Sequence, residues 1–345
     1  MSKDKILEIL KQIKYPGYSR DIVSFGVIKD VEISDEGVTI MLKLASNDDD
    51  IKSRVQKEIL EVLKNEGLND VRFALEQTTQ ASGTGTIGSS QKLANIKHTI
   101  AVASGKGGVG KSTVAANLAA ALSKEGFKVG LLDLDVFGPS LPITMGISEV
   151  PKILEGNRLL PLKKYGIELM SLGFILGNDS PVIWRGAMVS KMVSQFIYDV
   201  AWGPLDYLIM DLPPGTGDVQ LTLTQQLELS GAVIVTTPQD LALIDVQRGA
   251  NMFSKVNTPI LGIIENMSYH LCTECGHKSE IFSRGGGEKE SIRLEIPLFG
   301  RVPLNEKVME SAEKGEPIVL SFPDSVEAKV FVEIAKSIVS AVENK

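Results

Sequence analysis

The sequence predicts a doubly wound α/β domain on a mainly parallel sheet, preceded by a small α+β unit. Three observations carry this expectation. Apolar strand-like runs alternate with helical stretches over most of the chain, a glycine-rich loop joins the first such run to a helix, and a small, nearly uncharged segment separates this region from a shorter N-terminal one.

In the N-terminal region, Asp4 to Lys14 sets Ile6, Leu7, Ile9, Leu10 and Ile13 at helical spacing. SFGVIKDVEISDEGVTIMLKL reads as two strands around a turn at Asp35, Glu36 and Gly37. Ile51 to Asn65 reads as a second amphipathic helix and Asp70 to Leu75 as a third strand. The result is an α-β-β-α-β unit over 1–77, with no Cys or His and therefore no soft metal site. TTQASGTGTIGSSQKLAN, residues 78–95, has the composition of a flexible linker.

From 96 to 345 the pattern changes. HTIAVASG, KVGLLDLD, DYLIMDLPP, GAVIVTTP and PILGIIENM end in glycine, proline, acidic or asparagine residues, as buried parallel strands do where they meet a site. Ligands of such sheets sit at the carboxyl ends of the strands. The last segment, Ser325 to Val342, is an amphipathic helix with both charge signs on its polar side. A membrane-surface helix is more basic, so packing on the core is expected.

With 43% apolar and 23% charged residues in 345, the chain has the composition of a folded globular protein. Its net charge of -7 argues against broad nucleic-acid binding, which needs concentrated Lys and Arg. No apolar run approaches the ~20 residues of a membrane span. The start MSKDKILEILKQIKY carries charges where a signal peptide needs its apolar segment. A cytoplasmic protein with neither nucleic acid nor membrane as partner is expected. The chain's two cysteines, Cys272 and Cys275, are too close in sequence to staple distant segments, so a ligand or redox role suits them better.

AVASGKGGVGKST sets Gly105, Lys106, Gly107, Gly108, Val109, Gly110, Lys111, Ser112 and Thr113 between a strand and the helix TVAANLAAALSKEG, which is the spacing and context of a P-loop. Glycines let backbone N–H groups wrap phosphate oxygens, and the helix N-terminus adds positive potential. Lys111 bridges the β- and γ-phosphates of ATP, and Ser112 holds Mg2+. Asp133 and Asp135 follow the second strand and Asp211 ends the run YLIMD. Magnesium needs carboxylate help, and hydrolysis needs a group to orient water.

Lys106 is not required by a basic P-loop, and KGGVGKST resembles the deviant Walker A loop of the MinD/ParA and nitrogenase-iron-protein class. The resemblance implies that Lys106 reaches across a homodimer to the partner's nucleotide, that Asp135 positions water and that Asp211 serves magnesium. Asp133 either joins them or only orders the turn. Asn266 corresponds to the adenine-reading asparagine of the class, with a strand-end cap as its alternative.

Longer blocks narrow this further. LDVFGPSLPITMG, VIWRGAM, DLPPGTGDVQLTL, TTPQDLALIDVQRGANMF, LGIIENMSYHLCTECG and IFSRGGGEKE closely resemble the Mrp/ApbC family, P-loop ATPases that carry iron–sulfur clusters. The N-terminal unit resembles a small iron–sulfur-assembly domain, although ASNDDDIKS replaces a Cys-Pro stretch frequent there. The resemblance implies a [4Fe–4S] cluster bridged between two subunits by Cys272 and Cys275 of each. It also implies apo iron–sulfur client proteins and a cluster assembly scaffold as partners. Two thiols per chain against about four ligands per cubane point the same way. Thr273 and Ala187 stand where relatives commonly have proline.

His270 and His277 flank the cysteines, so a one-chain Cys₂His₂ zinc site is possible, as is a redox pair without a following helix. Both histidines read more readily as exposed loop residues, and His98 has no functional reading. A positioning ATPase without a cluster, or a zinc-stabilised ATPase scaffold, competes with the carrier.

Overall fold

The computed structural model describes residues 3–13, 21–23, 27–34, 37–42, 49–66, 68, 70–75, 93, 95–135, 138–156, 158–176, 196–217, 220–221, 224, 227–272 and 274–344. The chain divides into two compact units, Met1–Gly85 and Thr86–Lys345. Apart from Leu93 and Asn95, the 78–95 segment lies outside the described residues.

The first unit contains α1 (Lys3–Leu10), β1 (Ile28–Ser34), β2 (Gly37–Leu42), α2 (Asp49–Asn65) and β3 (Val71–Leu75). β2 is central, antiparallel to β1 and parallel to β3. Ile6, Leu10, Ile40, Leu42, Val55, Ile59 and Leu63 form its core. α1 stops short of the expected Lys14. Gln12 and Ile13 donate to carbonyls three residues back, both at 3.2 Å, and this tighter turn carries Ile13 into the core. Gly37 is not in the turn but pairs with Ser34, while Asp35 and Glu36 lie outside the described residues.

In the second unit the sheet runs through β4 (Ile96–Ala103), β5 (Val129–Asp133), β6 (Leu162–Lys164), β7 (Ile167–Ser171), β8 (Leu205–Asp211), β9 (Gly231–Thr236), β10 (Ile260–Glu265) and, beyond a hairpin, β13 (Leu298–Arg301). The hairpin strands are β11 (His270–Leu271) and β12 (Lys278–Ser279). The spatial order is β13-β10-β9-β4-β8-β5-β7-β6, parallel except for β6 against β7. All five apolar runs read from the sequence are strands of this sheet.

The edge strands β6 and β13, and β7 beside β6, are additions to the expectation. A two-residue turn, Tyr165 at φ 53 and Gly166 at φ 76, joins β6 to β7. Positive φ at both positions suits the twist of an antiparallel pair.

The helices are α3 (Lys111–Lys124), α4 (Leu141–Thr144), α5 (Gly173–Leu176), α6 (Asp240–Lys255), α7 (Gly286–Leu294), α8 (Glu306–Glu313), α9 (Ile318–Ser321) and α10 (Val326–Glu343). α3 is buried from Val114 to Leu122, and its alanines let the sheet and α10 approach it closely. α10 is the expected core-packing helix. Ser325 caps it by accepting from Ala328 N, and Phe331, Ile334, Ala335 and Ile338 are fully buried. Among the described residues no helix is long and apolar enough to cross a membrane.

Candidate functional site

The phosphate loop leaves β4 at Ala103 and enters α3 at Lys111. Gly108 and Gly110 have φ of 80 and 78, a left-handed backbone that favours glycine. Gly107 and Gly108 meet nothing within 4 Å of a built Cβ, so the loop's outer side is open where phosphates would lie. Ser104 Oγ donates to the Lys106 carbonyl at 3.0 Å, and Ser104 O accepts from Gly215 N at 2.9 Å. The loop and the segment after β8 are thereby tied together.

Lys111 is buried and its ammonium pairs with the equally buried Asp211 carboxylate. Ser112 Oγ lies 3.5 Å from the same ammonium. Burial pushes the Asp211 carboxyl up, while Lys111 and Ser112 pull it back and Asp135 raises it again. Ser112, Asp211 and Asp135 thus form one set of hard oxygen donors, the chemistry that magnesium takes.

Asp133 lies opposite Asp211 in the β5–β8 register. Its Oδ1 accepts from Asp135 N at 3.0 Å. Oδ2 accepts from Ser140 N at 3.0 Å, Leu141 N at 3.1 Å and Ser171 Oγ at 3.0 Å. Burial, reinforced by the charge of Asp211, raises its carboxyl to about 6. Of its two readings, the geometry favours ordering the turn that carries Asp135. Asp135 itself is half-buried and accepts from Gly138 N at 3.2 Å.

Asn266 follows β10, and its amide donates to the Val109 carbonyl inside the phosphate loop at 2.8 Å. Lys106 Nζ donates to Gln239 Oε1 of the same chain at 3.2 Å.

Past Asn266 the chain forms the cysteine hairpin. His270 pairs with Ser279 and Leu271 with Lys278. Cys272 N donates to His277 O at 3.0 Å and Gly276 N to Cys272 O at 2.9 Å, with Gly276 at φ 70. Backbone hydrogen bonding from Cys275 and Glu274, with the Cys275 thiol, lowers the Cys272 pKa. A lowered pKa suits a thiolate ligand. Cys275 and His277 are exposed. Among the described residues no three His, Cys, Asp or Glu side chains come together to hold a metal ion. No helix follows the pair either; β12 does. Thr273 and the WRGAM stretch with Ala187 lie outside the described residues.

Three residues escaped sequence reasoning. Gln239 is the partner of Lys106. Gln220 is buried and donates to the Pro213 carbonyl, while its Oε1 has no partner among the described residues. Glu265 is 1% exposed and accepts from Ser268 Oγ and Gly287 N, both at 2.5 Å, with Arg301 at 3.7 Å. A charge closing the apolar run LGIIE was the available signal for it.

A strand–loop–helix phosphate cradle with a second lysine, on a parallel sheet with acidic strand ends, defines a P-loop ATPase of the ParA and MinD kind. The chain belongs to the family described as NUBPL iron-transfer P-loop NTPase, which residues 95–339 match, and residues 3–72 match the iron-sulfur cluster assembly protein family. An iron-sulfur cluster carrier protein of Synechocystis is 41% identical over 99% of this chain and 98% of its own length. A mouse protein described as iron-sulfur cluster transfer protein NUBPL is 45% identical over 78% of this chain and 85% of its own. A nucleotide-binding protein from Archaeoglobus fulgidus, solved in complex with ADP, superposes with a TM-score of 0.59 at 38% identity, covering 68% of this chain and 96% of that one. The cell division ATPase MinD of Pyrococcus furiosus, 22% identical, shares the fold with a TM-score of 0.55 over 71% of this chain and 99% of its own.

Proposed function

We propose that this chain is an ATP-hydrolysing carrier that holds a [4Fe–4S] cluster between two copies, through Cys272 and Cys275 of each, and transfers it to apoproteins. The observation that carries this is the cysteine hairpin. It presents two thiols, the pKa of Cys272 lowered by backbone hydrogen bonding, gathers no third ligand from its own chain among the described residues, and follows directly on Asn266, which grips the phosphate loop. A two-fold axis supplies the other two thiols. The family membership and the names of the relatives support the cargo.

In this mechanism the backbone N–H groups of 105–110 wrap the phosphates of ATP. Lys111 turns from Asp211 to the β- and γ-oxygens, and Lys106 reaches the nucleotide of the second copy. Ser112 and Asp211 hold magnesium, which neutralises charge across those oxygens. Asp135, set by the Asp133-ordered turn, orients the attacking water. The segment after Asp211, bonded to Ser104 through Gly215, registers the γ-phosphate and alters how the two copies face each other. The cluster between them then changes its exposure to a client. The unit over 1–77, joined through 78–95, serves contact with a scaffold or client. The chain works in the cytoplasm.

The test is anaerobic reconstitution of the full chain, followed by iron, sulfide and zinc counts per dimer. Close to four irons and four sulfides per dimer are expected for the wild type and almost none for Cys272→Ser. A full cluster on Cys272→Ser, or zinc held one per chain, overturns the bridging arrangement.

A further inference from the structure

Lys106 is held within its own chain, and the loop's path explains why. A Cβ built on Gly105 falls 2.1 Å from Asp245 Cβ and 2.5 Å from the Asp245 carbonyl oxygen. The loop backbone therefore lies directly on α6, and only glycine permits it. Gln239 precedes that helix with φ -68 and ψ 137, yet its side chain makes no capping hydrogen bond. Shorter side chains at such a position fold back on the helix. The longer glutamine reaches out and accepts from the Lys106 ammonium at 3.2 Å. Beyond Lys106 the loop is open at Gly107 and Gly108.

We propose that Gln239 is a positioning residue that holds Lys106 in its own chain and so opposes the ATP-dependent pairing of two copies. This rests on the reading that Lys106 reaches the partner's nucleotide. Each ammonium must then leave its Gln239 before it can meet a phosphate across the interface. A two-fold dimer breaks two such contacts. A hydrogen bond from a charged donor opposes release by roughly three- to tenfold when half exposed, so the dimer constant shifts by about tenfold or more. Gln239 thereby sets the protein concentration at which ATP joins the two halves of the cluster site.

Two substitutions of opposite sign test this. Gln239→Leu keeps the bulk and removes the acceptor, and Gln239→Ala serves as a second acceptor-free variant should leucine fold poorly. Gln239→Glu holds the ammonium harder. The measurement is sedimentation velocity of the reduced, cluster-free full chain with magnesium and a saturating non-hydrolysable ATP analogue, saturation being established by titration for each variant. The acceptor-free variants are expected to dimerise at about tenfold lower concentration than wild type and Gln239→Glu at higher concentration, with no such spread in ADP. A merely structural role would not separate the two signs by nucleotide. If Lys106→Ala pairs like the wild type, the cross-chain reading fails and the proposal with it. If Lys106→Ala loses pairing while the acceptor-free variants pair no more tightly than wild type, the holding role is overturned and the cross-chain lysine stands.

Discussion

Asn266 Nδ2 donates to the backbone carbonyl of Val109 at 2.8 Å, joining the end of β10 to the middle of the phosphate loop. The contact is tight. A Cβ on Gly110 would lie 2.2 Å from that amide nitrogen, and Asn266 N is itself fixed to Thr236 O at 2.8 Å. Beyond it the chain has little slack, since Ser268 N donates to Val302 O at 2.9 Å and Tyr269 O accepts from Leu304 N at 2.7 Å. Cys272 follows at once. The chain from the phosphate-loop contact to the cysteine hairpin is thus short and laterally braced.

Asn266→Ala removes the donor and leaves a buried carbonyl unsatisfied. The expected loss is about 1–3 kcal/mol in chemical denaturation, with ADP affinity reduced at least ~tenfold by titration. Unchanged stability together with unchanged ADP affinity would take Asn266 out of the nucleotide site.

Lys111 and Asp211 form a buried ion pair, so each single substitution strands the other charge. Lys111→Met is expected to destabilise the fold by about 3 kcal/mol, because Asp211 loses its cation. The double variant Lys111→Met/Asp211→Leu should recover most of that stability. ATP hydrolysis should be absent from both. Recovery of stability without activity separates the pair's structural role from its chemical one; a double variant no more stable than Lys111→Met would deny the coupling.

Gly105 and Gly107 make a matched contrast within one loop. Alanine at 105 drives its Cβ into Asp245, whose backbone cannot yield cheaply, whereas alanine at 107 meets no protein atom within 4 Å. Gly105→Ala is expected to lower the thermal midpoint by several degrees, on the order of 1–3 kcal/mol. Gly107→Ala should keep the midpoint and lose nucleotide, since its methyl stands in the open side of the loop. Equal midpoints for the two variants would contradict the packing of Gly105 against α6.

What the sequence could announce followed physical regularity. Buried parallel strands are continuous apolar runs, so β4, β5, β8, β9 and β10 were legible, and the spacing from Gly105 to Ser112 marked the loop between β4 and α3. The edge strands β6 and β13 were not, nor was β7 beside β6. LKK and LFGR are three and four residues long and only half-buried, too short for a period to emerge. Residues whose role depends on a partner far along the chain were equally silent. Gln239 matters because Gly105 rests on α6, and Glu265 because Gly287 and Arg301 fold back onto it. Asp133 was visible as an acidic strand end. That it accepts four hydrogen bonds, and so organises the turn before Leu141, required the fold.

Metal counts on hairpin variants can separate a cluster bridged between two copies from a metal held by one. In a one-chain Cys₂His₂ site, His270 and His277 would each donate a nitrogen, and losing either would cost most of the bound metal. Here His277 is exposed and gives its backbone carbonyl to Cys272 N, while the backbone of His270 pairs in the β11–β12 ladder. Neither joins the thiols in a group of three among the described residues. Backbone contacts survive replacement of the side chain, so His270→Ala and His277→Ala should keep the hairpin and hold the wild-type iron and sulfide per dimer after anaerobic reconstitution. Cys275→Ser should lose both. Glu265→Gln gives a third arm: it weakens the grip on Ser268, Gly287 and Arg301 while leaving both thiols in place, so iron should load but leave faster to a chelator. Retention in the histidine variants and loss in Cys275→Ser would support thiols of two copies over a one-chain Cys₂His₂ site, and faster leakage in Glu265→Gln would support a braced strand end beneath them. Loss of most metal in either histidine variant would return the site to one chain.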